Sequence, residues 1–283
     1  MQSDAGFRMV QLASGSWSIR SLNHRETFHP VIGPEAEADA LYVRQLQLVE
    51  RLRRHVGPFV IWDVGLGAAA NPITVLRAVR EIPAEFQILS FDQTLEPLQF
   101  ALKHTDQLPY LKGYESFASE LVHRQVTTIS TENLKVNWRV QVGDFPALLT
   151  QDLAESWPKP HAILFDAYSP ARNPEMWTQP LFERIFQLLD PPCVLPTYSR
   201  STMLRVSLLL AGFFVGAGHA TGEKEETTMA ANQLHLIEEP LDQLWLKRAR
   251  HSTSAEPLWN PIYRQAPLSA ETLAKLERHP QFQ

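Results

Sequence analysis

The chain has 283 residues, is 44% hydrophobic and carries a formal net charge of −5 at pH 7. That length and apolar content can bury a full core, so one large domain with excursions is expected. The acidic balance argues against a broad nucleic-acid-gripping face, which needs many Lys and Arg on one side, and leaves room only for a local patch. Two basic groups are candidates, Arg51, Arg53, Arg54 and His55, and Lys247, Arg248, Arg250 and His251; such groups are more often a solvated face. No apolar run flanked by a basic segment opens the chain, and no stretch approaches the roughly 18 apolar residues of a membrane span, so a cytoplasmic location is expected. Cys193, the single cysteine, cannot form an internal disulfide and reads as strand packing.

In chain order, Met9–Leu12 and Trp17–Arg20 flank Ser14-Gly15 and predict a β-hairpin. Apolar positions Ala36, Ala40, Val43, Leu46 and Val49 predict one helix over Glu35 to Arg54, completing an N-terminal extension over 1–56. From there strand candidates fall at 59–63, 87–91, 136–142, 161–165, 193–197, 212–218 and 232–238. Helical segments near 72–81, 95–104, 145–154, 178–189 and 200–211 lie between most of them. Strands alternating with helices imply an α/β, Rossmann-like, mostly parallel sheet of seven strands. The last two candidates, joined by a polar segment, make a C-terminal antiparallel hairpin. An insertion is expected between Glu96 and Asn133, helical near Tyr114–Arg124. The sheet domain spans 57–250, and 251–283 is a tail with a short helix.

The run Phe59-Val-Ile-Trp-Asp-Val-Gly-Leu-Gly-Ala-Ala-Ala-Asn-Pro72 takes an apolar strand through a small-residue turn into a helix, and Asp92 closes the next apolar run. Gly65 and Gly67 allow a sharp turn and close approach of a ligand, while the N–H groups opening the helix suit an anionic group. A dinucleotide site would have glycine three residues after Gly67, where Ala70 stands. Asp63 and Asp92 fit S-adenosylmethionine better, since its amine and its ribose hydroxyls both need acceptors. A tight turn without a ligand remains the structural alternative.

The second run, His161-Ala-Ile-Leu-Phe-Asp-Ala-Tyr-Ser-Pro-Ala-Arg-Asn-Pro-Glu-Met-Trp177, reads as a buried strand with Asp166 at its carboxyl end, where open α/β sheets place ligands, followed by a loop stiffened by two prolines. Asp166 through Trp177 resembles the Asp-x-Phe-Ser-Pro-x-x-Asn-Pro-x-x-Trp loop of MnmC-type methyltransferase domains, with Tyr168 in place of Phe. Gly15-Ser16, Glu26-Thr-Phe-His29, Asp63-x-Gly-x-Gly-x-x-x-Asn71, Pro196-Thr-Tyr-Ser199 with Arg205 and Ala211-Gly-Phe213, and Pro267-Leu-Ser269 through His279-Pro280 extend the resemblance over roughly residues 14 to 282. Two departures stand out. Ala69 replaces a common glycine, and Glu225 occupies a position in Thr221–Thr227 where a basic residue is usual.

The resemblance implies a class I S-adenosyl-L-methionine-dependent methyltransferase fold. It also implies methylation of the exocyclic amine of 5-aminomethyl-(2-thio)uridine at the tRNA wobble position. It makes Asp166 the proton acceptor, with capping or binding of the cofactor amine as its alternative roles, and sets Tyr168 against the uracil. Asp63, Gly65, Gly67, Asn71, Asp92, Asp144 and Phe145 would bind the cofactor, although Asp144 also reads as a helix cap. Glu26, His29, Asn173, Trp177 and Lys224 would meet the substrate, and the tRNA anticodon arm would be the partner. The flavin-dependent oxidase domain of bifunctional members is not expected within this chain. A small amine or protein substrate, and a non-catalytic binding relative, are the alternatives. His24, Glu26 and His29 lack the His-Glu-x-x-His spacing, so no metal is expected. Ser169 and Ser199 lack a hydrolase's Gly-x-Ser-x-Gly setting.

Overall fold

The computed structural model describes residues 6–220 and 225–283. Gly15, at φ 84, turns the chain between β1 (Phe7–Gln11) and β2 (Trp17–Ser21), which pair antiparallel with Met9 opposite Ile19. β3 (Glu26–Thr27) adds a third strand to this small sheet. The single helix expected over Glu35 to Arg54 is instead three pieces: α1 (Pro34–Asp39), a π-helical stretch Ala40–Arg44, and α2 (Leu48–Arg54) after the left-handed Gln47. The wider π turn belongs to a stretch whose Tyr42 is fully buried, its hydroxyl donating to the Phe165 carbonyl at 3.4 Å.

The sheet that carries the site starts at β4 (Phe59–Val64), whose six residues are all buried, and continues through α3 (Ala70–Ala78) into β5 (Ala84–Asp92). A strand apolar on both faces suits a parallel sheet covered by helices. α4 (Glu96–Leu102) and α5 (Glu115–Arg124) lead to β6 (Val126–Ser130), which turns straight back into β7 (Leu134–Val142). β6 corrects the seven-strand expectation. Its Val-Thr-Thr-Ile-Ser alternates exposed and buried residues along an antiparallel edge, giving the sheet an eighth strand. α6 (Phe145–Leu149), β8 (Ala162–Phe165), α7 (Gln179–Gln187), β9 (Val194–Thr197) and α8 (Thr202–Leu210) follow. β10 (Phe214–Gly218) then pairs antiparallel with β11 (Thr227–Ala231), and α9 (Gln243–Arg250) and α10 (Ala270–Glu277) close the chain.

The last strand is also displaced from expectation. Residues 232–238 include a 3-10 turn, Leu234–Leu236, and the strand is the small, fully buried Thr-Thr-Met-Ala-Ala run before them. The hydrogen-bonded order is β10-β11-β9-β8-β4-β5-β7-β6, parallel at β4/β5, β5/β7 and β8/β9 and antiparallel at both ends. This is a Rossmann-like α/β sheet with a parallel centre and antiparallel edges, as the alternation of strands and helices predicts. The chain divides into two compact units. One holds the described residues up to Phe145 with Ile163–Asp166, Ala220 and Glu225; the other holds Pro146–Ala162, Ala167–His219 and Glu226–Gln283. Among the described residues no helix is long and apolar enough to cross a membrane.

Candidate active site

The first unit gathers its chemistry at the carboxyl ends of β4, β5 and β8. Parallel register sets Asp63 opposite Ser90, and the Ser90 hydroxyl donates to Asp63 Oδ2 at 2.7 Å while accepting the Trp138 indole N–H at 2.9 Å. Neither Ser90 nor Trp138 was marked by the sequence, because their partners lie on neighbouring strands rather than nearby in the chain. Asp63 is fully buried and its other oxygen, Oδ1, has no partner. Burial pushes its carboxyl up from 3.8 to about 7, against the lowering effect of the Ser90 hydrogen bond and with the charges of Asp166 and Asp92 adding to the rise.

After β4 the chain turns through Gly65 at φ 93, Gly67 at φ 52 and Ala69 at φ 61. The N–H groups of Gly65 and Leu66 both donate to the Phe91 carbonyl, at 3.0 and 3.2 Å, tying the turn to the end of β5. Ala69 takes a left-handed conformation that favours glycine, the residue that the resemblance led one to expect there. Gly67 N–H donates to Asp92 Oδ2 at 2.8 Å, and a β-carbon on Gly67 would stand 3.3 Å from the Phe28 ring. Asp92 is half-buried, and burial raises its carboxyl above the usual range, against the lowering pull of the backbone N–H of Gly67. With the Thr94 N–H on Oδ1 at 3.3 Å, each Asp92 oxygen still has a lone pair for a ribose hydroxyl.

Asp166 leaves β8 with its N–H on the Val64 carbonyl at 3.0 Å, so Asp92 and Asp166 open at the same end of the strands. Asn71, in the first turn of α3, donates Nδ2 to Asp166 Oδ2 at 2.9 Å, and Asn71 Oδ1 is a second buried acceptor without a partner. His29 stands at Asp166, Nε2 to Oδ2 3.6 Å, with its other nitrogen 3.9 Å from Glu37 Oε2. Sequence reasoning missed Glu37. Its spacing fits a helix face, and only the fold brings it to His29.

Two buried, orphaned acceptors, Asp63 Oδ1 and Asn71 Oδ1, suit an ammonium group, and Asp92 suits a diol. The donor set therefore fits S-adenosylmethionine. The Phe145 ring is buried against Phe91 at 4.8 Å, and exposed Asp144 accepts from Gln93 Nε2 at 3.2 Å. Glu26 lies in β3, partly exposed.

In the second unit lies Trp177. It is fully buried, its N–H donates to the Tyr168 carbonyl at 2.7 Å and its ring packs edge-on to Tyr198, so it braces the loop that carries Tyr168. Asn173 belongs to the same loop, its N–H on the Ser169 carbonyl at 2.9 Å and its Oδ1 buried without a partner. Lys224 lies outside the described residues. Among the described residues no group of three or more His, Cys, Asp or Glu could hold a metal ion.

Residues 112–233 match the family model of an S-adenosyl-L-methionine-dependent methyltransferase, Methyltransf_30. The tRNA 5-methylaminomethyl-2-thiouridine biosynthesis bifunctional protein MnmC of Methylibium petroleiphilum is 28% identical over 210 residues, 72% of this chain and 31% of that protein. The protein of the same name from Aeromonas hydrophila is 26% identical over 213 residues, 68% of this chain and 30% of that protein. The chain thus spans about a third of the length of the curated relatives it matches. The crystal structure of MnmC2 from Aquifex aeolicus shares the fold with a TM-score of 0.69 at 23% identity, covering 98% of this chain and 85% of that one. On these findings the chain carries an S-adenosyl-L-methionine-dependent methyltransferase domain similar to that of MnmC.

Proposed function

We propose that this MnmC-type domain methylates the exocyclic primary amine of 5-aminomethyl-(2-thio)uridine at the wobble position of tRNA, binding the anticodon arm in the cytoplasm. The observation that carries the reading is the placement of Asp166. Its Oδ2 is held by Asn71, and it stands at the same end of the strands as the orphaned acceptor of Asp63 and as Asp92. The relatives' printed names supply the substrate class.

When bound, S-adenosyl-L-methionine supplies an electrophilic methyl group on a sulfonium that departs as a neutral thioether. Asp63 and Asn71 would take its ammonium, Asp92 its ribose hydroxyls, the Gly65–Gly67 turn its close approach, and Asp144 and Phe145 its adenine. An amine attacks only when neutral, so Asp166 accepts its proton at Oδ1 and orients its lone pair. In-line positioning can supply about 7–11 kcal/mol of the barrier and a general base about 10²–10⁴ in rate. Tyr168 meets the uracil from a loop that Trp177 braces, and Glu26, Asn173 and Lys224 contact the nucleotide or its neighbours. Residues 1–56 serve as an extension of the catalytic domain at 57–250, and 251–283 as its tail.

The test is incubation of the protein and S-adenosylmethionine with tRNA carrying 5-aminomethyluridine, then digestion and mass analysis of nucleosides. One added methyl group on that nucleoside is expected. Methylation of small amines or proteins with untouched tRNA would refute the substrate.

A further inference from the structure

We infer that Glu37 and His29 form a clamp that positions Asp166, fixing its Oδ2 so that Oδ1 meets the incoming amine. The inference rests on the reading of Asp166 as proton acceptor. Two groups converge on one oxygen: Asn71 Nδ2 donates to Oδ2 at 2.9 Å, and His29 Nε2 stands 3.6 Å from the same atom. Behind His29, Glu37 Oε2 lies 3.9 Å from Nδ1, and Glu37 is itself fixed through Oε1, which accepts the Val31 N–H at 3.1 Å. The His29 and Glu37 side chains are each 10% exposed and that of Asp166 20%, so water screens the three weakly.

The supports come from two helices packed on each other, Glu37 from α1 and Asn71 from α3. His29 has φ 44, a left-handed conformation rare outside glycine, which persists where surroundings dictate it and which recurs at functional sites. Both ring nitrogens face carboxylate oxygens. The proton shed by the amine goes to Asp166 Oδ1. A carboxylate without the clamp presents either oxygen in several orientations, and displacement of a reacting group by about 1 Å can lower a rate on the order of 100-fold.

The variants are His29→Ala, Glu37→Gln and Asp166→Asn, assayed on tRNA with saturating S-adenosylmethionine, with S-adenosylhomocysteine affinity measured by calorimetry. His29→Ala should lower kcat about 10- to 100-fold while KM and S-adenosylhomocysteine affinity hold, and Glu37→Gln should lower kcat less. Added imidazole should restore kcat to His29→Ala and leave Asp166→Asn inactive. An unchanged kcat, an effect confined to KM as a substrate-mouth role would give, or absence of imidazole rescue would overturn the clamp. If wild-type protein fails to methylate tRNA, the proposed function falls and the clamp is judged by thermal unfolding of single and double variants. Coupled effects of His29→Ala with Asp166→Asn are expected, and additive ones overturn it.

Discussion

Replacing Asp63 with Asn isolates a strongly perturbed carboxyl of the site. In the folded chain it titrates near 7 instead of 3.8, so between those values the folded state holds a proton that the unfolded chain has released. Stability from this group is therefore fully present below about pH 4 and is lost as pH rises through about 7. A shift from 3.8 to about 7, at roughly 1.4 kcal/mol per unit, makes that loss on the order of 4 kcal/mol. Asn keeps an acceptor for the Ser90 hydroxyl and cannot ionise. Urea unfolding followed by circular dichroism from pH 4 to 8 should show wild-type stability falling relative to Asp63→Asn by several kcal/mol. A cationic ligand prefers the ionised carboxylate, so wild-type affinity for S-adenosylhomocysteine should rise with pH up to about 7, and the variant should bind weakly with no such rise. Parallel stability profiles for the two proteins would refute the reasoning, because they would mean that burial does not hold the proton on Asp63.

Ser90→Ala strips Asp63 of its donor and leaves the Trp138 indole N–H without its acceptor, so a loss of about 1–3 kcal/mol is expected in urea unfolding, and an unchanged midpoint would refute the relay. Gly67→Ala adds a β-carbon 3.3 Å from the Phe28 ring at φ 52; it should destabilise by about 1–2 kcal/mol and weaken cofactor binding, measured by thermal unfolding and calorimetry. Asp92→Ala should lose cofactor affinity, whereas Asp166→Ala should bind the cofactor normally and lose methyl transfer by about 10²–10⁴. Calorimetry beside the tRNA assay separates the pair, and equal effects on binding would merge their roles.

The strands that carry the site were legible because burial on both faces leaves continuous apolar runs: Phe59–Val64 and Ala162–Phe165 are buried throughout. Two other strands were hidden by composition. β11 is Thr-Thr-Met-Ala-Ala, small residues buried by their place between β9 and β10, while the more apolar Leu234-His-Leu236 beyond it forms a short turn. β6 has threonine or serine at three of its five positions and shows its alternation only against β7. Nothing local marks the break of the 35–54 helix, which contains neither Gly nor Pro. α9 did carry a signal: Asp242 caps it by accepting the Trp245 N–H at 2.8 Å.

The pocket's chemistry follows the same division. Gly65, Gly67, Asp63 and Asp92 announce themselves by spacing along one strand and the next, while Glu37, Ser90 and Trp138 enter only through tertiary contacts. Those contacts also separate the two cofactors that the glycine turn admits. Asp63, Asp92 and Asp166 influence one another closely enough for the charges of the latter two to raise the first, with orphaned acceptors on Asp63 and Asn71 and a left-handed Ala69 at the helix entrance. A pyrophosphate laid against this turn would add negative charge beside three carboxylates and offer no proton to the orphaned oxygens. A ligand with an ammonium and a sulfonium relieves the repulsion and satisfies the acceptors. The electrostatics of the turn, more than its glycines, favour S-adenosylmethionine over a dinucleotide.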